Sequence, residues 1–292
     1  VTTVINIDGT IFGQDEAKIN VFDRGFLYGD SVYEVIRSYG MIPFALKEHL
    51  FRLRRSADML DMEIPVPLTK IESEIKRTIA EARGGDCYIR VICTRGEGEI
   101  TLDPAMAVAP HYVIIVKEYK PPPRHLYTEG ASVILVKSGR LLDGALPPGT
   151  KTGNYLVNLM ALARAKQKGS YEAIMIDGTG KVAEGTTCNF FIVKRGRIFT
   201  PSLETGILAG ITRGIVLELS RRWGFFAEEK DLFPKDMREA DEAFLTSTIR
   251  DVMPVTIIDE MPVRNGRPGP LTENIRRAYL EYVKEYIAKY KM

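Results

Sequence analysis

The chain is poor in cysteine, histidine and tryptophan, with three, three and one among 292 residues. Cys87, Cys93 and Cys188 cannot all pair, and neither they nor His49, His111 and His125 stand at metal-ligand spacing. A disulfide framework and a metal centre are therefore not expected. No stretch of about 18 uninterrupted apolar residues occurs, which removes the expectation of a membrane span. The opening VTTVINIDGT reaches Asp8 without a basic start or an apolar run. That argues against a signal peptide and for a cytoplasmic protein. An excess of one charge is lacking too: 40 Lys and Arg face 38 Asp and Glu, a net charge of +2. A nucleic-acid partner, which asks for a concentrated basic surface, is not expected. TRGEGE at 94–99 has neither the Walker lysine nor dinucleotide spacing. There is no nucleophile elbow and no Cys–His pairing. What the chain does hold is 45% apolar and 9% aromatic residues, enough for a substantial core.

The apolar residues are patterned. VTTVINIDGTIF alternates around Asp8-Gly9, a hairpin signal. SVYEVIRSY at 31–39 reads as a strand that puts Tyr33, Val35 and Arg37 on one face. Leu46, Leu50, Leu53, Ala57 and Leu60 recur at helical spacing. A second helix is expected over 69–83, with Thr69 as N-cap, Glu72 three residues on, and Gly84-Gly85 as its stop. CYIRVICT and HYVIIVKEY follow as strands. Pro121-Pro122-Pro123 can sit in neither a helix interior nor a central strand. This sets a small N-terminal α/β domain at 1–119, a linker at 120–130 and a large C-terminal domain at 131–292. In the latter, strands are expected at 131–137, 171–177, 187–194 and about 243–247, with helices near 154–168, 211–223 and 271–290. Short turns at Asp177-Gly178 and Arg195-Gly196 favour an α/β chain of mixed α+β layers over a doubly wound parallel sheet.

Several residues stand in positions that chemistry could use. Lys151 lies in PPGTKTGNY, a small-residue loop opening into an apolar helix, where a desolvated amine becomes nucleophilic. The plain alternative is a solvated loop lysine. Glu184 precedes Gly185 and apolar CNFFIV; otherwise it is a turn carboxylate. Gly210-Ile211-Thr212 opens a helix whose first N–H groups could hold a phosphate, or Thr212 is simply part of a cap. Thr246-Ser247-Thr248 ends a strand with three hydroxyls, which also suits an ordinary polar loop. Tyr88 and Arg90, two apart on a strand, face the same way and suit a carboxylate, or form an edge-strand pair facing water.

In order, FDRGFLYGDSVYE (22–34), Glu48-His49-Leu50 with Arg52, Lys151 with Gly153-Asn154-Tyr155, Glu184-Gly185 with Asn189, and Leu208-Ala209-Gly210-Ile211-Thr212 resemble the motif series of class IV (fold type IV) pyridoxal-phosphate aminotransferases. The resemblance spans nearly the whole chain. It implies two domains with the active site between them and pyridoxal 5'-phosphate as cofactor. Lys151 would attach to the cofactor aldehyde and, once displaced by the amino substrate, shuttle the proton between Cα and C4′. Glu184 would keep the pyridine nitrogen protonated. Tyr155 would hydrogen-bond the ring 3′-oxygen, Arg52, Ile211, Thr212 and Thr248 would grip the phosphate, and Leu208 would pack on the ring.

Within the family, Tyr88-Ile89-Arg90 followed by Thr94-Arg95-Gly96 and Leu102-Asp103-Pro104 is similar to branched-chain aminotransferases. The Arg-x-His that D-amino-acid aminotransferases place after Thr-Arg-Gly is absent. The resemblance then implies transfer from Leu, Ile or Val to 2-oxoglutarate, with Tyr28, Tyr33, Arg37, Tyr88 and Arg90 lining the substrate pocket and a homodimer completing it. Tyr33, Val35 and Leu208 are expected as an apolar lining opposite the Tyr88–Arg90 face. Arg90 or Arg37 would meet the distal carboxylate of glutamate. One departure stands out. Two small residues usual after Thr248 are replaced by Ile249-Arg250, which would reshape the carboxylate pocket. An (R)-amine or D-amino-acid transaminase and an aminodeoxychorismate lyase are the alternatives within the fold. A non-catalytic phosphate-ligand binding protein is the alternative outside it.

Overall fold

The computed structural model describes residues 1–137 and 147–290. The chain forms two compact units: Val1–Lys120 with Thr150–Tyr155 and Tyr286–Met292, and Pro121–Gly149 with Leu156–Glu285.

The first unit is one sheet with helices on one face. Its strands are β1 (Val4–Ile7), β2 (Thr10–Gly13), β3 (Ser31–Tyr39), β4 (Ile42–Pro43), β5 (Cys87–Thr94) and β8 (His111–Glu118); a separate ribbon pairs β6 (Glu97–Gly98) with β7 (Ala107–Val108). The sheet order is β2-β1-β8-β5-β3-β4, antiparallel throughout. Asp8 and Gly9, at φ of 51° and 90°, make the expected β1–β2 turn. The helices are α1 (Arg24–Tyr28), α2 (Leu46–Asp58) and α3 (Leu68–Glu81). Leu46, Leu50, Leu53 and Ala57 of α2 and Ile71, Ile75 and Ile79 of α3 pack with Val32 and Ile36 of β3 and Ile89 and Val91 of β5. One side of the sheet is thereby closed by the two apolar helix stripes. The Thr69 cap is corrected: α3 starts at Leu68 after Pro67, and no side chain caps it. Proline presets an extended entry there and takes the capping position.

The second unit holds α4 (His125–Thr128), β9 (Ala131–Lys137), α5 (Leu156–Gln167), β10 (Glu172–Ile176), β11 (Val182–Gly185), β12 (Asn189–Lys194), β13 (Arg197–Thr200), α6 (Ile211–Arg222), β14 (Ala227–Glu229), α7 (Pro234–Arg238), β15 (Glu242–Ser247), β16 (Asp251–Ile258) and β17 (Met261–Pro262); α8 (Pro270–Tyr290) follows and runs into the first unit's last segment. The sheet order is β11-β10-β9-β16-β15-β12-β13-β14, with β17 beside β16. β9 pairs parallel with β10 and β16, β13 parallel with β14, and the remaining pairs are antiparallel. Mixed layers are thus what the chain forms. α4 interrupts the 120–130 segment that reads as plain linker. β16, absent from the sequence reading, is an interior strand buried at seven of its eight positions. Pro254 in DVMPVTII weakened the strand signal there.

Candidate active site

Lys151 lies in the segment 150–155, which belongs to the first unit. The sequence boundaries put it in the second domain; the reason for the difference is a set of backbone ties. The Tyr33 N–H donates to the Lys151 carbonyl at 3.1 Å, the Gly153 N–H donates to the Ser31 carbonyl at 2.8 Å, and Val32 bridges Thr152. From the helix side, Ser56 Oγ of α2 accepts from the Lys151 N–H at 3.1 Å. The segment therefore lies as a short extra strand against the start of β3. Such closeness demands small residues. A Cβ on Gly153 would stand 2.3 Å from Ser31 Oγ, and one on Gly29, at φ 68°, would stand 2.5 Å from Asn154 Oδ1.

The lysine amine ends between two phenols, 3.4 Å from the Tyr33 hydroxyl and 3.3 Å from that of Tyr155. The two rings meet edge to face at 5.4 Å between centroids. Burial, then the neighbouring Tyr155, push the Tyr33 phenol well above its usual range, so it stays protonated and can donate.

Tyr33, Val35 and Arg37 do share a face, and β3 pairs them with Ile92, Arg90 and Tyr88 of β5. This overturns the idea that Tyr33 and Val35 oppose the Tyr88–Arg90 face: register puts all five side by side. It also removes the edge-strand reading, because β5 lies between β3 and β8. Arg90 stacks over the Tyr33 ring at 4.1 Å. That leaves it next to the phenol that meets Lys151. Arg37 is placed differently. It sits over the rings of Tyr39 and Tyr119 at 4.1 and 3.9 Å and pairs with Asp86 at 3.5 Å, near the far end of β3 from Lys151. Tyr28 ends α1 with Arg24 over its ring at 5.0 Å, and Asp30 holds both Arg24 and Arg95 at 3.0 and 2.8 Å.

Arg52 projects from α2, one turn before Ser56. Its Nε and Nη2 donate to the two oxygens of Glu34 at 2.6 and 2.7 Å, and His49 Nδ1 meets Glu34 Oε2 at 2.8 Å. Burial alone would raise the Glu34 carboxyl; Arg52 and then His49 outweigh it and hold it at about 2. Burial lowers the His49 pKa against the raising effect of Glu34, and the charges of Arg52 and Lys151 add to the lowering.

In the second unit, Glu184 is the penultimate residue of β11, with its carboxylate fixed from two sides. Its Oε2 accepts from Asn189 Nδ2 at 3.0 Å, and its Oε1 from the Leu208 N–H at 3.1 Å; Asn189 also donates to the Leu208 carbonyl at 2.9 Å. A Cβ on Gly210 would fall 1.9 Å from Asn189 Oδ1, which is why glycine precedes this helix. Gly210 caps α6 with no side-chain hydrogen bond, and Thr212 is buried in its first turn. Beside Thr248, Thr246 Oγ1 and Ser247 Oγ are buried without a hydrogen-bond partner. An aldehyde-bearing pyridine phosphate calls for a primary amine, a fixed carboxylate and an anion-suited helix start; the first unit carries such an amine, between two phenols, and the second carries such a carboxylate and such a helix start. Among the described residues no group of three or more His, Cys, Asp or Glu could hold a metal ion.

The family model described as "Amino-transferase class IV" matches residues 31–258. The chain belongs to the class IV aminotransferases. It is 37% identical over 275 residues to a putative branched-chain-amino-acid aminotransferase of Methanocaldococcus jannaschii, covering 94% of each chain. It is 34% identical over 284 residues to a D-alanine aminotransferase of Bacillus licheniformis, covering 97% of this chain and 98% of that one. Among solved structures, the T.th. branched-chain amino acid aminotransferase complexed with N-(5'-phosphopyridoxyl)-L-glutamate superposes with a TM-score of 0.90 at 32% identity, covering 97% of this chain and 94% of that one. The present fold is that of the fold type IV enzymes, and enzymes of this class use pyridoxal phosphate to act on small amino and keto acids.

For this class IV aminotransferase the Ile249-Arg250 departure resolves in an unexpected way. Arg250 Nη2 pairs with Glu172 Oε2 at 3.2 Å, Nε donates to the Tyr171 hydroxyl at 3.0 Å, and Nη1 donates to Thr187 Oγ1 at 2.8 Å. Its charge is neutralised by a fully buried carboxylate that also accepts from Thr186 Oγ1 at 2.6 Å. The expected added cation is thus tied into the sheet, and only Ile249 remains as a change beside Thr248. Sequence reasoning missed Glu34, Ser56 and Glu172. Glu34 and Glu172 each lie within an apolar strand, and a carboxylate in such a run was the available signal.

Proposed function

We infer that this aminotransferase binds pyridoxal 5'-phosphate through Lys151, Tyr155 and Glu184, with Arg52, Ile211, Thr212 and Thr248 at the phosphate and Leu208 on the ring, and transfers the amino group of branched-chain L-amino acids to 2-oxoglutarate. The observation that carries the substrate class is the β3–β5 face next to the Lys151 amine, where Tyr33 and Val35 adjoin the Arg90 guanidinium stacked on Tyr33. When bound, the cofactor supplies an electron sink for the charge left at the substrate Cα. Lys151 Nζ takes the Cα proton and acts as acid in the return direction. Tyr33 and Tyr155 orient that amine through their hydroxyls. Glu184, itself held by Asn189 and the Leu208 N–H, offers a fixed carboxylate to a protonated ring nitrogen. Arg90 offers its donor fork to a carboxylate of the substrate.

An apolar and aromatic face accepts Leu, Ile and Val and separates them weakly, since one methylene is worth about 1–3 kcal/mol. Amino donors of both enantiomers, assayed with 2-oxoglutarate, test this. Branched-chain L-donors within about 200-fold of one another, and all faster than D-alanine and (R)-1-phenylethylamine, are the expected result. Faster turnover of D-alanine would instead support the second reading, which the D-alanine aminotransferase relatives favour. A homodimer is part of the same proposal. Phe22 and the α1 residue Phe26, at 47% and 67% exposure, and Ile100 and Leu102, at 74% and 80%, lie on segments joined by Arg24 hydrogen bonds to the Thr101 and Leu102 carbonyls, an apolar patch of the kind partners cover. A fully active monomer at dilution is the contrary result.

A further inference from the structure

The residue after Tyr33 in β3, Glu34, is a buried carboxylate. Glu34 has no solvent exposure, and it lies on the helix-covered face of β3 among Val32 and Ile36. A carboxylate in such surroundings is tolerated only when its oxygens are fully met. Three donors meet it here: Arg52 Nε on one oxygen, Arg52 Nη2 and His49 Nδ1 on the other. The ionised Glu34 can only accept, so His49 Nδ1–H donates, and the imidazole locks the carboxylate plane that the guanidinium fork then follows.

The place of this cluster is as telling as its bonding. His49, Arg52 and Ser56 fall on one face of α2 at successive turns. Ser56 takes the Lys151 N–H, and Tyr33, the strand neighbour of Glu34, donates its N–H to the Lys151 carbonyl. The lysine loop and the Arg52 fork are therefore registered on the same two elements. An unbraced arginine has many rotamers and must give up that freedom when it meets an anion. A braced one has already done so.

We propose that Glu34, held by His49, is a positioning residue that presets the Arg52 guanidinium for the cofactor phosphate. This rests on the reading that Arg52 meets that phosphate. The alternative physics is equally definite: a carboxylate that merely neutralises Arg52 would weaken anion binding, and its removal would tighten it.

Pyridoxal, which has the aldehyde and ring but no phosphate, separates these outcomes from damage to the lysine. Binding of pyridoxal 5'-phosphate and of pyridoxal to the cofactor-free full chain is measured by absorbance titration for wild type, Glu34→Gln, Glu34→Asp, Arg52→Ala and the Glu34→Gln/Arg52→Ala double variant. Glu34→Asp keeps the buried charge but withdraws it by one methylene, which covers the case in which Glu34→Gln does not fold. The expected result is at least a tenfold weaker affinity for pyridoxal 5'-phosphate with pyridoxal affinity within twofold of wild type. The double variant is expected to be no worse than Arg52→Ala alone. Equal losses for both probes, an unchanged affinity, or tighter phosphate binding would overturn the proposal. Wild type that binds neither probe would instead overturn the cofactor reading on which it rests.

Discussion

At the scale of single residues, the buried ion pairs show how charge is tolerated inside this chain. Glu172 and Arg250 join the turn after Glu184 to the turn after Thr248, since Glu172 accepts from Thr186 while Arg250 donates to Thr187. Removing one member leaves the other charge buried and unmatched, which costs far more than the pair contributes. Arg250→Ala should lower unfolding free energy by about 3 kcal/mol in denaturant titration, the low end of the range because the arginine side chain keeps 11% exposure. The double variant Glu172→Gln/Arg250→Met should recover most of the loss. A double variant as unstable as the single one would show that packing, and not charge, dominates there.

At the scale of elements, the parts of the fold that were legible in sequence are those that local physics decides. The Asp8-Gly9 hairpin, the α2 stripe and the single-faced triplet Tyr33, Val35, Arg37 need only turn chemistry and periodicity. Register is long-range, so the sequence could not show that Tyr88 and Arg90 lie beside that triplet on the same face. Nor could it show that Gly29 packs on Asn154 and Gly153 on Ser31, though both glycines stand within the motif series. Glu34 and Glu172 stayed hidden for a related reason: their partners, Arg52 and Arg250, lie 18 and 78 residues away. The Gly153–Ser31 contact gives a sharp prediction. Gly153→Ala should push the lysine segment from β3, costing about 1–3 kcal/mol of stability and a larger share of activity. Adding Ser31→Ala removes the oxygen in the way and should restore both. If Ser31→Ala gives no rescue, the close approach is not what fixes glycine at 153.

At the scale of the whole molecule, each unit contributes a different chemistry. The first supplies the amine, its two phenols and the Arg90 face; the second supplies the oriented Glu184 and the anion-suited start of α6. The chain belongs to the class IV aminotransferases, and the central claim proposed for it is that Lys151 is the amine that takes the cofactor. The most direct measurement is borohydride reduction of the protein loaded with pyridoxal 5'-phosphate, followed by digestion and mass analysis of each lysine-bearing peptide. The account predicts one phosphopyridoxyl group per chain, carried by Lys151 and lost when leucine is added before the reductant. A label on any other lysine, or none on Lys151, would contradict it.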